Sequence, residues 1–386
     1  MCIHVKAESL TNKRLKSQGD QKRFILFYNF TNLKTHNHKN NTIYKAMSIK
    51  KSRREFLKEV TTIGTGLCAS SLLLSNNNLI RTLYAGEDIS LKSRVILAKD
   101  KRFVNVNGIA NSILISMAIE SALMKVTNSE KPLDAWRSLF NEDDIVGIKL
   151  NCLAGKRFSP HTEIVEAVIN GVKSAGVKDS NIIIFERFNS ELEDAGFNIR
   201  EHGSGFRCFG TDALPSGGYD PEPQIIGSVG SCFSQIASSF CTAIVNIPVL
   251  KDHDLAGVSI GMKNFYGIIH NPNKYHDGNC NPYVADLNSH PYIKDKLRLV
   301  ICDALKAQYN GGPAFKPQWA WDFRGILIST DPVALDRIGA DIIEKKRREV
   351  NMPSLKDAGR EPKYIKTAAN LGLGFDDPSL IDVTSI

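Results

Sequence analysis

The chain has 386 residues, of which 42% are hydrophobic and 23% are charged, the balance of a soluble globular protein. Its net charge of +8 is unevenly distributed, because residues 1–85 carry +11 and the rest of the chain carries −3. A nucleic-acid-binding protein keeps a basic patch on its folded domain. The charge distribution therefore argues against nucleic acid as a partner.

The N-terminal segment contains an export motif. Residues 51–58 read KSRREFLK, which resembles the twin-arginine export signal. The apolar stretch behind it, Val60 to Leu74, is too short for a membrane span, which needs about 20 apolar residues. Ala85 offers a cleavage point. We therefore expect residues 47–85 to be a signal peptide recognised by the twin-arginine translocation machinery, and the mature protein to be periplasmic or otherwise extracytoplasmic, without a transmembrane segment.

Residues 1–46 precede this signal and differ from it in composition. Met47 lies six residues before Arg53, where such a signal normally begins, and residues 1–46 are rich in Asn and Lys without sustained periodicity. We interpret residues 1–46 as a non-native extension of the reading frame, the alternative being a disordered basic extension. Residues 86–386 then remain as the folded domain.

The folded part alternates apolar runs with amphipathic segments, which indicates an α/β fold with a mainly parallel sheet and helices on both faces. Loop-rich stretches at 203–223 and 271–291 leave open a smaller second lobe. The pattern predicts strands at Arg94–Ala98, Ile145–Leu150, Asn181–Glu186, Ala243–Leu250, Leu297–Cys302 and Gly325–Ser329, and helices at Ala110–Lys125, Thr162–Ala175, Cys232–Ser239, Ile260–Ile269, Val333–Arg348 and Tyr364–Leu371.

Polar side chains follow five of the predicted strands. The carboxyl ends of parallel strands meet at the edge where open α/β sheets bind ligands, so we expect these side chains to converge there. Alternation along the fourth strand places Lys251 and His253 on the same side. The polar groups at strand ends are Lys149, Asn151, Glu186, Lys251, Asp252, His253, Asp303 and Asp331.

Several of these residues have a structural alternative. Asp331 precedes Pro332 and would serve equally as a helix N-cap, Asp303 would cap a turn, and His161 stands at a helix start. Glu186 would pair with Lys149 or Arg187 as a rim ion pair.

Lys263 lies in an otherwise apolar segment. It either extends to solvent or is partly buried with a lowered pKa, which suits base or Schiff-base chemistry. Metal ligation is a further hypothesis, with His253, Asp331, His270 and His276 as its ligands.

The order of these motifs resembles the family catalogued as domain of unknown function 362, from about Val95 to Glu344. Leu150 and Asp252 stand where that family has proline and threonine, and the chain lacks the ferredoxin-type cluster cysteines that some relatives append. The family name implies no activity. The motifs are Lys149-Leu150-Asn151, His161-Thr162-Glu163, Leu250-Lys251-Asp252-His253, Lys263-Asn264-Phe265-Tyr266-Gly267 and Asp331-Pro332-Val333-Ala334-Leu335-Asp336.

A looser similarity concerns His253 and Lys263, whose spacing is similar to that in lactate-racemase-like enzymes. There the histidine acts as a base and the lysine tethers a nickel-pincer cofactor. The double glycine before that lysine is absent here. The similarity implies a metal ion or a metal-containing cofactor.

We therefore expect an exported, metal- or cofactor-dependent enzyme that acts on a small anionic substrate by proton transfer. The alternative is a non-catalytic periplasmic ligand-binding or cofactor-maturation protein that uses the same pocket. In the enzyme, the catalytic residues would be Lys251, His253 and Lys263, and the substrate- or cofactor-binding residues would be Lys149, Asn151, His161, Asn264, Asp303 and Asp331.

Overall fold

The computed structural model describes residues 92–386, and a sheet of eleven strands lies at their centre. Three strands with the sequences VGIKL, IIIFE and AIVNI are buried at every position, as expected where helices cover both faces of a parallel sheet. The strands are β1 (Ser93–Lys99), β2 (Val146–Leu150), β3 (Ile182–Glu186), β4 (Arg207–Gly210), β5 (Gln224–Ile226), β6 (Val229–Ser231), β7 (Ala243–Ile247), β8 (Val249–His253), β9 (Gly257–Ser259), β10 (Leu297–Gln308), β11 (Ala320–Trp321), β12 (Gly325–Ser329) and β13 (Ile381–Ser385).

Helices cover both faces of this sheet, as predicted. One apolar core contains residues of the first four helices, and the other contains residues of the last five. The helices are α1 (Ser112–Thr127), α2 (Pro132–Leu139), α3 (Thr162–Ser174), α4 (Asn189–Ala195), α5 (Gly261–Asn264), α6 (Tyr283–Asn288), α7 (Pro291–Lys294), α8 (Pro332–Glu349) and α9 (Tyr364–Asn370).

The sheet is mixed, with mostly parallel strands. Its main order is β13-β1-β12-β10-β7-β2-β3-β4, with β8, β9 and β11 attached through β10, and β5 and β6 form a separate hairpin. Strands β10, β7, β2, β3 and β4 are mutually parallel. β12 runs antiparallel to both of its neighbours, β10 and β1. The carboxyl end of β12 therefore lies at the opposite edge from the carboxyl ends of the parallel strands.

Two predicted elements differ from the structure at identifiable residues. The strand predicted at Ala243–Leu250 is divided into β7 and β8 at Pro248, which has no N–H for a ladder. The helix predicted at Ile260–Ile269 is only the short α5, followed by a tighter 3₁₀ turn over Phe265–Ile268. Nearly every residue of this segment is buried, so its apolar residues show no helical period.

Other elements differ in extent. A single wide π-helical turn over Ile236–Phe240 takes the place of the helix predicted at Cys232–Ser239, and β10 continues six residues beyond the predicted Cys302. The prediction also lacks several mostly short elements, which are β4, β5, β6, β9, β11, β13, α2, α4, α6 and α7.

The loop-rich stretches do not form a second lobe, because both belong to the one compact unit that contains all of the described residues, 92–386. In the described part of the chain, none of the helices has the length and apolar character needed to cross a membrane. All six cysteines from Cys152 onward are free.

Candidate active site

A buried ion pair joins the ends of β2 and β3. Nζ of Lys149 lies 2.5 Å from Oε2 of Glu186 and donates at 2.6 Å to the carbonyl of Leu150. Gly267 permits this pair, because a Cβ at that position would lie 2.8 Å from Lys149 Nζ and 3.0 Å from Glu186 Oε2. The glycine of the K-N-x-x-G motif thus has a packing role, and Lys149 has its own counter-ion.

Three buried asparagines link the strands to α5. Asn151 donates to Oδ1 of Asn264 at 3.0 Å, and Asn264 donates to Oδ1 of Asn246 at 2.7 Å. Asn246 in turn donates to the carbonyl of Gly261 at 2.7 Å. Because each amide both donates and accepts, this chain fixes α5 against β2 and β7.

Lys251 is buried beside these asparagines, and no carboxylate among residues 92–386 forms an ion pair with it. Its Nζ donates to Oδ1 of Asn151 at 2.8 Å. The neighbouring Asp252 pairs instead with Arg360, at 2.8 Å. Burial lowers the pKa of Lys251 to about 8. Near neutral pH the side chain is therefore a desolvated cation that readily loses its proton.

Lys263 contacts His276. Its Nζ lies 3.2 Å from Nε2 of His276 and 3.7 Å from the ring centroid of Tyr266. His276 Nδ1 lies 3.3 Å from the carbonyl of Asn273, which assigns the ring proton to Nδ1 and leaves Nε2 to accept from Lys263. Burial, with a smaller contribution from the charge of Lys251, lowers the pKa of Lys263 to about 8.

His253 stacks on His276, with the ring centroids 5.5 Å apart. Its Nδ1 accepts from the N–H groups of Leu255 and Ala256, both at 3.2 Å, so the neutral ring carries its proton on Nε2. Asp254 also approaches Nδ1, at 3.2 Å. This contact is not an ion pair, because burial lowers the pKa of His253 to about 2. His253 therefore presents an N–H donor rather than a base.

We call Lys251, His253, Lys263 and His276 the lysine site. The charges of Lys263, His276 and Lys251 all add to the lowering of the His253 pKa that burial causes, so the four side chains lie within electrostatic reach of one another. Lys251 and His253 alternate along β8 onto the same side, as the sequence predicts. The lysine site thus contains all three predicted catalytic residues and adds His276.

Asp336 positions α5 from the far side. Its carboxylate accepts from the backbone N–H groups of Gly261 at 2.7 Å and Met262 at 3.1 Å, directly before Lys263. It is fully buried, and burial raises its pKa to about 8. The second aspartate of the D-P-V-A-x-D motif is therefore a positioning residue for the lysine-bearing turn.

His161 and Asp303 form a pair of their own. Nδ1 of His161 lies 2.7 Å from Oδ2 of Asp303, and the backbone N–H of His161 donates to the same oxygen at 2.7 Å. On β10, Asp303 lies on the same face of the sheet as Ile301 and Leu305, which is the face covered by α1–α4. On β2, Ile148 and Leu150 lie on that face, so the side chain of Lys149 between them lies on the opposite face.

Asp331 lies away from the lysine site, contrary to expectation. It follows β12, the antiparallel strand, and accepts from the N–H groups of Val333 and Ala334 at 2.8 and 2.9 Å. Its other oxygen accepts from Ser93 and from the N–H of Phe375. Asp331 is thus a helix N-cap, the structural alternative that its position before Pro332 suggested.

The predicted metal ligands do not come together. His253 and His276 are neighbours, whereas Asp331 caps α8 at the other edge, and the His270 ring packs edge-on against Tyr219 at 5.2 Å. Among residues 92–386 no group of three or more His, Cys, Asp or Glu side chains is placed to hold a metal ion. The donor set therefore does not fit a metal centre.

Two residues of the site were not predicted from the sequence. Asn246 is the only polar residue in the run AIVNI, and a buried amide in an apolar strand requires a partner, which is a readable signal. Asp336 lies on the buried side of α8 with Val333 and Ala334, where a carboxylate is unusual.

Comparison with known families agrees with the motif order. The sequence model of a family described as "Domain of unknown function (DUF362)" matches residues 146–341. The chain belongs to the DUF362 family. The DUF362 match begins at β2 and ends within α8, and so contains the complete lysine site, the Lys149–Glu186 pair and Asp336. A comparison with the curated proteins gave no match.

Proposed function

We propose that this DUF362 protein is an enzyme that holds a small anionic substrate against Lys251 and Lys263 and moves a proton through Lys263 and His276. One observation carries the proposal. Both lysines are buried, at 0% and 6% exposure, and among the described residues neither has a carboxylate within ion-pairing distance. Lys149, by contrast, has Glu186 as its counter-ion.

Burying Lys251 and Lys263 without a counter-ion has an energetic cost. A cation taken out of water without a counter-ion costs several kcal/mol. The lowered pKa values of Lys251 and Lys263 express this cost, because burial favours the neutral amine. A substrate carboxylate or phosphate would supply the missing negative charge and offset the cost. Perturbed groups of this kind, gathered at one sheet edge, are typical of functional sites.

The hydrogen bond between Lys263 and His276 supports the proton-transfer step. A lysine with a pKa of about 8 exchanges its proton near neutral pH, which suits a general acid or base. The unprotonated Nε2 of the half-buried His276 is within hydrogen-bond distance of Lys263 Nζ and would receive that proton. Burial and the charge of Lys263 lower the pKa of His276, so the ring would pass the proton on rather than hold it. His253 would contribute its Nε2–H as a donor to a substrate oxygen rather than act as the base.

No step of this proposal uses a metal, because the predicted ligands do not assemble. The alternative of a non-catalytic ligand-binding or cofactor-maturation protein would use the same two lysines for binding alone.

Export of the folded protein by the twin-arginine pathway also belongs to the proposal, and the motif at residues 51–58 supports it.

Deuterium exchange separates the enzyme from the binding protein. Purified protein is incubated in D₂O with lactate, malate or succinate, and carbon-bound deuterium is measured by mass spectrometry. We expect the wild type to introduce deuterium next to the carboxylate of at least one acid, and Lys263→Met to abolish this exchange. Lys345→Met, an exposed lysine of α8, is the control. Binding without exchange would reject the enzyme and leave the binding protein.

A further inference from the structure

A small cavity lies beside the His161–Asp303 pair. Its volume is about 160 Å³, similar to cavities of about 150 Å³ that admit a benzene-sized molecule. Asp303, on the opposite face of the sheet from Lys149, holds the histidine that lines it. Its lining includes His161, Lys306, Asp322 and Arg324.

The histidine at this cavity is oriented by a buried carboxylate. Asp303 is 1% exposed, and its Oδ1 accepts from the N–H of Leu305 while Oδ2 receives both His161 contacts. Because Nδ1 of His161 is held by Asp303, Nε2 is the nitrogen left to meet a ligand. The His161 side chain is 30% exposed and lines the cavity, so a ligand can reach its ring.

The charge of the lining is mainly positive. Lys306 and Arg324 contribute two cations, and Asp322, 3.7 Å from Arg324, contributes one acid. Arg324 donates through one terminal nitrogen to the carbonyl of Lys101, whereas its buried Nε has no hydrogen-bond partner in the described part of the chain. A buried guanidinium nitrogen without an acceptor favours a ligand that carries oxygen acceptors.

We propose that this cavity is a second ligand site of the DUF362 domain, which takes a small oxyanion, a carboxylate or a phosphate group, between His161, Lys306 and Arg324. Asp303 fixes the ring so that Nε2–H points to the ligand, as a carboxylate orients histidine in many sites. The carboxylate of Asp303 also raises the pKa of His161, against the opposing effect of burial. The ring is therefore more readily cationic than an isolated imidazole, which favours an anion.

The site is tested by following the His161 Cε1–H signal in NMR spectra while inorganic phosphate or acetate is added to the whole protein. We expect a saturable shift with one of them, and the identity of that probe distinguishes a phosphate site from a carboxylate site. Arg324→Gln and Lys306→Gln should each weaken the binding about tenfold, the effect of losing one charged hydrogen bond. Lys345→Gln is the matched control on an exposed surface.

Failure at this cavity can be distinguished from failure of the proposed function. Lys251→Met removes a cation of the lysine site and is expected to leave the His161 titration unchanged. Asp303→Asn should lower the pKa of His161. If this buried substitution disturbs folding, Arg324→Gln and Lys306→Gln still test the site. The proposal is overturned if the His161 signal responds to neither probe, or responds equally in wild type, Arg324→Gln and Lys306→Gln.

Discussion

Lys251 Nζ donates to Oδ1 of Asn151 at 2.8 Å, and this neutral amide takes the place that a carboxylate would normally occupy beside a buried lysine. An amide oxygen satisfies one of the three ammonium protons but supplies no net charge. The same strand edge contains a complete ion pair, Lys149 with Glu186. We infer that the uncompensated charge is retained for a ligand, at a cost in stability.

That cost should depend on pH. Burial lowers the pKa of folded Lys251 from 10.5 to about 8, so between these values the unfolded chain binds more protons and wild-type stability rises with pH. Lys251→Met removes this penalty. We expect the free energy of unfolding to be about 3 kcal/mol higher than wild type at pH 7, with the difference shrinking from pH 8 to 10.5. Urea denaturation at pH 7 and 10 measures this, with Lys345→Met as the control. A pH-independent difference would contradict the burial argument.

Gly267→Ala should displace the Lys149–Glu186 pair. The added Cβ would lie 2.8 Å from Lys149 Nζ, and this fully buried nitrogen has little room to move. We expect a loss of about 1–3 kcal/mol in the free energy of unfolding, typical of overpacking. Gly230→Ala is the matched control, because the nearest atom to its Cβ is a side-chain carbon at 3.8 Å. Equal denaturation midpoints for the two variants would refute the close-approach role of Gly267.

Asp331→Ala should separate stability from function. Loss of the N-cap of α8 is expected to lower the free energy of unfolding by about 1 kcal/mol. Ligand affinity and deuterium exchange should remain at the wild-type level, because Asp331 lies at the opposite edge of the sheet. A substantial loss of ligand affinity in a folded Asp331→Ala protein would show that Asp331 does contribute to the ligand site.

Export is tested in cells. The variant with Arg53→Lys and Arg54→Lys keeps the charge of the motif at residues 51–58 but removes the arginine pair. We expect the mature protein to disappear from the periplasmic fraction and accumulate in the cytoplasm, as measured by immunoblotting of fractions. Lys50→Arg with Lys51→Arg is the charge-matched control. Unchanged periplasmic recovery of the double-lysine variant would show that another route is used.

Local sequence pattern was sufficient for much of the fold. The largely apolar runs VGIKL and IIIFE predict the strands β2 and β3, because a strand covered on both faces is apolar at most positions. The apolar residues on one side of Thr162–Ser174 predict the helix α3, because only that side is buried. Lys149 was one of two partners that the sequence offered for Glu186, the other being Arg187, and the pair is buried rather than at the rim because β2 and β3 are parallel neighbours inside the sheet.

The errors arise where strand direction decides. Asp331 follows shortly after an apolar strand, as Asn151 does after β2, and nothing within the run GILIS indicates that this strand pairs antiparallel with β10. The direction of a strand depends on the segment that connects it to the preceding strand and on the strands it pairs with. The residues at the end of a strand therefore do not indicate at which edge of the sheet they lie.

His276 shows the opposite limitation. It lies in an Asn- and Pro-rich stretch without periodicity, and its contact with Lys263 depends on how residues 271–280 fold back over α5. A loop of this kind can be placed by tertiary structure alone. The proposed role of His276 as proton acceptor could therefore not be derived from the sequence. Lys263, by contrast, stood out there as a lysine in an otherwise apolar segment.

The affinity of the lysine site for anions tests the central claim most directly. Phosphate, acetate, malonate and succinate are titrated at pH 7 and 9.5 into wild type, Lys251→Met and Lys263→Met, with the NMR signals of His253 and His276 as reporters. We predict that wild type binds at least one of them at pH 7, that affinity falls by about tenfold for each pH unit above 8 as a lysine loses its charge, and that both variants lose binding. Affinity that is independent of pH and unchanged in both variants, or no binding of any of the four anions, would contradict the account.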